Sequence, residues 1–143
     1  MKTQNPLHLL DFLKHSSVMN RVKIVLLHGG HPHEEDTSYI TAQFSNVYTD
    51  FSGTFYLCSI KGPERIAALL ERAPLNKVMY GSDGVMFPEV SWFAHNHFRR
   101  QFVKLLNGLI DGGYMTNKRA YEAASMIMHH NALRCYVRIN DLI

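Results

Sequence analysis

Two short stretches hold the residues best suited to chemistry. Val22-Lys23-Ile24-Val25-Leu26-Leu27 runs into His28-Gly29-Gly30, and Lys77-Val78-Met79-Tyr80 runs into Gly81-Ser82-Asp83-Gly84. A neutral imidazole can ligate a metal or pass a proton near neutral pH. A carboxylate can bind a divalent metal and accept a proton from water bound to it. In both stretches the reactive residue ends an apolar run and is followed by glycine, which lets the chain turn sharply. Each residue alone also fits a plainer role, because strand-end histidines are often structural and Gly-Ser-Asp often forms a simple turn.

The elements that must position them read as alternating strands and helices. Near-continuous apolar runs, like the two above, suit strands covered on both faces, as in a parallel sheet. Asn46-Val47-Tyr48-Thr49-Asp50-Phe51-Ser52-Gly53 is a third strand candidate between them. Residues 34–44 read as a helix with a weak apolar face. Residues 63–73 read as a clearer one, with Ile66, Leu69, Leu70 and Ala73 at helical spacing and Pro63 at its start. Phe98, Phe102, Leu105, Leu106 and Leu109 mark a longer amphipathic helix closed by Gly112-Gly113. Thr116 is placed to cap a further helix carrying Ala120, Ala123, Ala124, Ile127 and Met128, and residues 7–14 are also read as helical.

This order predicts an α/β fold with parallel pairing. An open three-stranded sheet would leave bare edges on both outer strands. A (β/α)8 TIM barrel takes about 250 residues. Read as one unit over residues 1–143, the chain could supply the last three of such a barrel's eight βα units, its C-terminal portion with closing helices. Reactive residues in such folds gather at the C-terminal ends of strands, where His28 and Asp83 fall.

Composition narrows the classes. The hydrophobic share of 46% and charged share of 19% are those of a globular domain. No apolar run approaches the roughly 18 residues of a membrane span, and Met1 to Pro6 lacks a secretory stretch, so no membrane partner is expected. Two cysteines, Cys58 and Cys135, are too few for a disulfide framework, which makes a reducing cytoplasm the expected location. The net charge of +3 comes from scattered Lys and Arg without a basic stripe, which argues against nucleic acid.

The remaining candidates carry weaker signals. His31-Pro32-His33 could join His28 in a local three-histidine site, or be ordinary loop histidines. His95-Asn96-His97 spells a nuclease motif but opens a helix here, so coincidence is the better reading. His129-His130 suits a helix end, where an imidazolium meets the negative pole. Phe87 and Trp92 follow Asp83 and could shape a substrate pocket or pack the next helix onto the sheet. Cys58 has no adjacent base and is not proposed as a nucleophile.

Taken together, His28-Gly29-Gly30, then Asn46 to Ser52, then Lys77 to Asp83 resemble the final third of the amidohydrolase-2 family. The branch most similar includes amidohydrolase domains fused to glutamine-synthetase-like enzymes. Asn5-Pro6-Leu7-His8-Leu9 resembles the stretch beyond that branch's fifth strand, and Asn131-Ala132-Leu133-Arg134-Cys135-Tyr136 resembles its closing helix. The resemblance implies a barrel that uses a divalent metal, zinc first and manganese second, to activate water against a C–N or related bond of a small molecule. It implies that Asp83 binds the metal and takes a proton from the water, and that His28, a second metal-site residue, orients the water or polarises the substrate. His31 stands where relatives often carry an aromatic residue, which makes it a substrate-loop candidate with Phe87 and Trp92.

One departure matters. The family's His-x-His on the first strand and its fifth-strand histidine have no counterpart in this sequence. The expected metal site is therefore incomplete, short of the three protein ligands of a catalytic zinc. A complementing N-terminal polypeptide or self-association is expected, and a catalytically silent or split-enzyme fragment is the first rival. The second is a small α/β module that binds an anion at Gly29-Gly30.

Overall fold

The computed structural model describes residues 5–15, 17, 21–54 and 60–136. A 3-10 turn (Pro6–Leu9) leads into α1 (Leu10–Leu13), followed by β1 (Ile24–Leu26), α2 (Glu34–Gln43), β2 (Val47–Asp50), α3 (Gly62–Leu70) and β3 (Val78–Met79). A long α4 (Pro88–Asp111) comes next. Then α5 (Asn117–Ser125) runs through a π-helical segment (Met126–His130) into α6 (Asn131–Cys135). The three strands are parallel in the order β1-β2-β3, with Ile24 opposite Val47 and Thr49 opposite Val78. The expected strands and helices are present, and all the strands are shorter than read. Among the described residues no helix is long and apolar enough to cross a membrane.

Two cores hold the sheet. The larger packs Phe51 and Val78 against Ile66 and Leu69 of α3, Phe98, Phe102 and Leu106 of α4, and Ile127. The smaller joins Leu13, Ile40, Phe44 and Val47, with Leu7, Leu10 and Ile24 packed against it. Each fully buried side chain of this size contributes about 1.5–3 kcal/mol. The weak apolar face of α2 has a cause: its buried side includes Thr37, Ser38 and Thr41. Ser38 Oγ accepts from the backbone of Arg72 and Ala73, each at 3.0 Å, so polar contacts join α2 to the end of α3.

Three expectations need correction. Helix α4 starts at Pro88, ten residues before its first expected marker at Phe98, and so His95 to His97 lie inside it. Its opening turns expose Trp92 and Phe93 and bury only the small Ala94, which weakened the periodic signal. Trp92 sits on this helix, and both it and Phe87 are exposed (70% and 59%), so neither packs the helix onto the sheet. His129-His130 falls within a continuous helical run, with no helix end there.

A fourth correction concerns the sheet edge. Met79 exchanges bonds with β2, and Phe51 N donates to its carbonyl at 3.0 Å. Val78 O and Tyr80 N point to the other side, where a further strand would pair. Both are already satisfied: Asn131 Nδ2 donates to Val78 O at 2.7 Å, and Tyr80 N donates to Ile127 O at 2.8 Å. The Ile127 carbonyl lies in the π-helical segment, where the shifted ladder frees a backbone group for such use. The outer edge of β3 is therefore closed by the chain's own closing helix, not bare.

Candidate active site

The C-terminal ends of the three strands bring one small group of side chains together. After β1 the chain makes a tight turn over Leu27–Gly30, within which His28 is left-handed at φ 61 and ψ 24. After β3, Asp83 is also left-handed, at φ 56. They are the only non-glycine residues with positive φ among those described. Such a conformation costs about 1–3 kcal/mol and persists where the surroundings over-determine it, as at active sites.

Gly53, just past β2, shows how closely the two approach. It too is left-handed, at φ 67, and a Cβ placed on it would sit 2.9 Å from Asp83 Oδ2 and 2.9 Å from His28 Nδ1. Both side chains therefore reach into the volume that any other residue would fill. His28 is exposed and Asp83 half-buried, so the pair is open to solvent and to a ligand.

The turn after β2 secures the histidine. The Asp50 carboxylate, itself buried, accepts from His28 N at 3.0 Å through Oδ1. Thr54 Oγ1 donates to His28 O at 3.1 Å, and the imidazole Nδ1 lies 2.9 Å from Ser52 O. On the third strand's side, Ser82 Oγ donates to Ser91 Oγ of α4 at 3.3 Å, tying the Asp83 loop to that helix. A Cβ on Gly81 would stand 3.0 Å from Ser52 Cβ, so glycine there allows the loops after β2 and β3 to close on each other.

Asp50, Ser52 and Gly53 were read only as part of a strand. Their signal was present: a carboxylate at the buried end of an apolar strand requires donors, and the serine two residues on is one.

The other candidates lie elsewhere or do other work. His31 Nδ1 is 2.8 Å from Glu34 Oε1, and the Arg65 guanidinium contacts both His31 and Glu34. That cluster joins the turn after β1 to α2 and α3. His33 pairs with Asp36 at 3.7 Å and lies 3.4 Å from Asn5 Nδ2. Among the described residues no three of His, Cys, Asp or Glu are grouped to hold a metal, which removes the three-histidine site of His28, His31 and His33. Gly30 packs so closely on Thr37 that a Cβ would run into its hydroxyl, and Gly29 is buried beside Leu69 and Asp50. The Gly-Gly pair therefore serves packing. Cys58 lies outside the described residues.

The sequence matches the amidohydrolase family model over residues 2–138. Protein fluG of Emericella nidulans is 32% identical over 133 residues, a match that covers 92% of this chain and 15% of fluG. The fold is similar to part of a crystal structure from Lactobacillus casei ATCC 334, of a protein provisionally assigned as a metal-dependent hydrolase. The TM-score is 0.85 at 24% identity, over 97% of this chain and 36% of that one. The chain thus spans well under half the length of either relative.

Proposed function

The chain belongs to the amidohydrolase family, and from that premise we propose that it carries part of the active site of a metal-dependent hydrolase, with His28 and Asp83 as its working residues. The observation that supports this most is the convergence of these two left-handed residues over Gly53, from the ends of two different strands. Strain of this kind at a non-glycine residue needs a reason, and a shared site supplies one for both.

The donors suit a divalent metal in kind. Imidazole nitrogen and carboxylate oxygen are the ligands zinc takes in hydrolytic sites, and manganese accepts the same pair. His28 and Asp83 would hold it, and when bound it would bring water close to ionisation at neutral pH. Asp83 would serve as a proton acceptor for water there, and His28 would orient the water or the scissile group of a small C–N-bonded substrate. Phe87 and Trp92, exposed beyond Asp83, remain candidates for contact with substrate; His31 acts there only through the turn it braces.

The donors fall short in number, since the described residues group no three metal-binding side chains. In this proposal the remaining ligands come from polypeptide outside these 143 residues, an N-terminal complementing segment or another copy, in the cytoplasm. The same donor count favours a second reading, a chain that keeps the family fold and is catalytically silent.

Zinc titration of the chain, followed by calorimetry and by plasma mass spectrometry after dialysis, tests the first reading. Weak binding should be lowered at least about tenfold by Asp83→Ala and by His28→Ala. Zinc uptake indifferent to both substitutions would sink it.

A further inference from the structure

Asp50 makes more contacts in this site than bracing a turn requires. Its Oδ1 accepts from Ser52 Oγ at 2.6 Å, from His28 N at 3.0 Å and from Ser52 N at 3.1 Å. The His28 Nδ1 in turn lies 2.9 Å from Ser52 O and 3.1 Å from Ser52 Oγ. A serine hydroxyl has one proton to give. At 2.6 Å the Asp50 carboxylate takes it, as the charged acceptor of a short bond. Ser52 then presents only lone pairs to the ring, from its hydroxyl and its carbonyl alike. Facing only acceptors among the described residues, Nδ1 carries the ring proton, which leaves the lone pair on Nε2.

We propose that Asp50 is the positioning residue of this site, acting through the direction of the Ser52 hydroxyl to keep His28 in the tautomer whose Nε2 is free to meet a metal or a substrate. This rests on His28 being the working residue proposed above. Without the carboxylate, the Ser52 hydroxyl can swing and donate to Nδ1, which favours the opposite tautomer. Asp50 thus reinforces, at one remove, the choice of nitrogen that the Ser52 carbonyl favours, and touches no reactant itself.

The side-chain 15N shifts of His28 in the full chain, at alkaline pH where the ring is neutral, read this directly. Wild type should show Nε2 as the unprotonated nitrogen. Asp50→Ala should move the tautomer ratio several-fold, up to about tenfold, toward Nε2–H, the scale of one hydrogen bond. Adding Ser52→Ala removes the stray donor and should return the ratio toward wild type, while Asp50→Asn, which keeps an Oδ1 acceptor, should stay near it. A wild-type His28 mainly protonated on Nε2 overturns the proposal. So does a double variant no closer to wild type than Asp50→Ala, because Asp50 then only braces the turn. If Asp50→Ala does not fold, Asp50→Leu, which keeps the volume and removes the acceptor, takes its place with and without Ser52→Ala, and the same two comparisons decide. No metal or substrate enters the measurement, so zinc uptake indifferent to His28 and Asp83 removes the hydrolase reading and leaves this result standing.

Discussion

At the scale of single residues, the site depends on a side chain that is missing. Gly53 supplies no donor, yet His28 and Asp83 both occupy the space beside it. Gly53→Ala should cost about 1–2 kcal/mol for the left-handed backbone alone and should also push the two side chains apart. Urea unfolding and zinc titration together check this. A zinc affinity unchanged by the substitution would mean that the two residues do not share one ligand. Tyr80, next to the end of β3, gives a second test. Burial pushes its phenol up to about 12 from the ordinary 10.0. The folded chain therefore keeps a proton that the unfolded chain loses, so this contribution is complete below pH 10.0 and fades as the pH climbs to about 12. Its hydroxyl is buried without a hydrogen-bond partner among the described residues. Tyr80→Phe should then raise neutral-pH stability by roughly 1 kcal/mol and flatten the alkaline decline, both read from urea melts across pH.

At the scale of elements, the closing helix shapes the sheet as much as the strands do. Asn131 is fully buried and donates through one amide nitrogen to Leu75 O at 2.6 Å and to Val78 O at 2.7 Å. Asn131→Ala would strand two carbonyls beside β3 and should cost about 2–3 kcal/mol. Hydrogen exchange should show the Tyr80 amide losing protection more than the amides of α3. Equal loss across the chain would argue that the helix does not seal that edge in particular. The elements were largely readable from sequence where burial followed a period: Ile66 and Leu69 in α3, and Phe98, Phe102 and Leu106 in α4, all fall on the inner face. They were unreadable where it did not. The first turns of α4 expose Trp92 and Phe93, and α2 buries threonine and serine in place of aliphatic residues.

At the scale of the whole molecule, apolar surface next to the site stands open. Val85 is 84% exposed, Met86 79%, and Phe87 and Trp92 follow them beside Asp83. Exposed apolar side chains that gather into one patch mark association sites. Sedimentation at micromolar concentration should show reversible self-association, or capture of a complementing segment, weakened when Phe87 and Trp92 are both replaced by serine. A chain that stays a compact monomer at all concentrations would count against a site completed by other polypeptide. The open patch and the two-donor site point the same way, since both would gain from one further layer of structure.

The sequence by itself determined the family, the alternation of strands and helices, and the two candidate residues in the turns after the first and third strands. Those properties are written in local pattern: apolar runs of a given period, and His or Asp set against glycine at their ends. Only the tertiary structure decided that His28 and Asp83 meet over Gly53, that Asp50 bonds to the His28 amide and Ser52 to its ring, and that Asn131 and Ile127 close the edge of β3. Each of these depends on which groups, tens of residues apart, share a few ångströms of space and must satisfy one another's hydrogen bonds. A linear pattern carries no record of that pairing until the chain is folded.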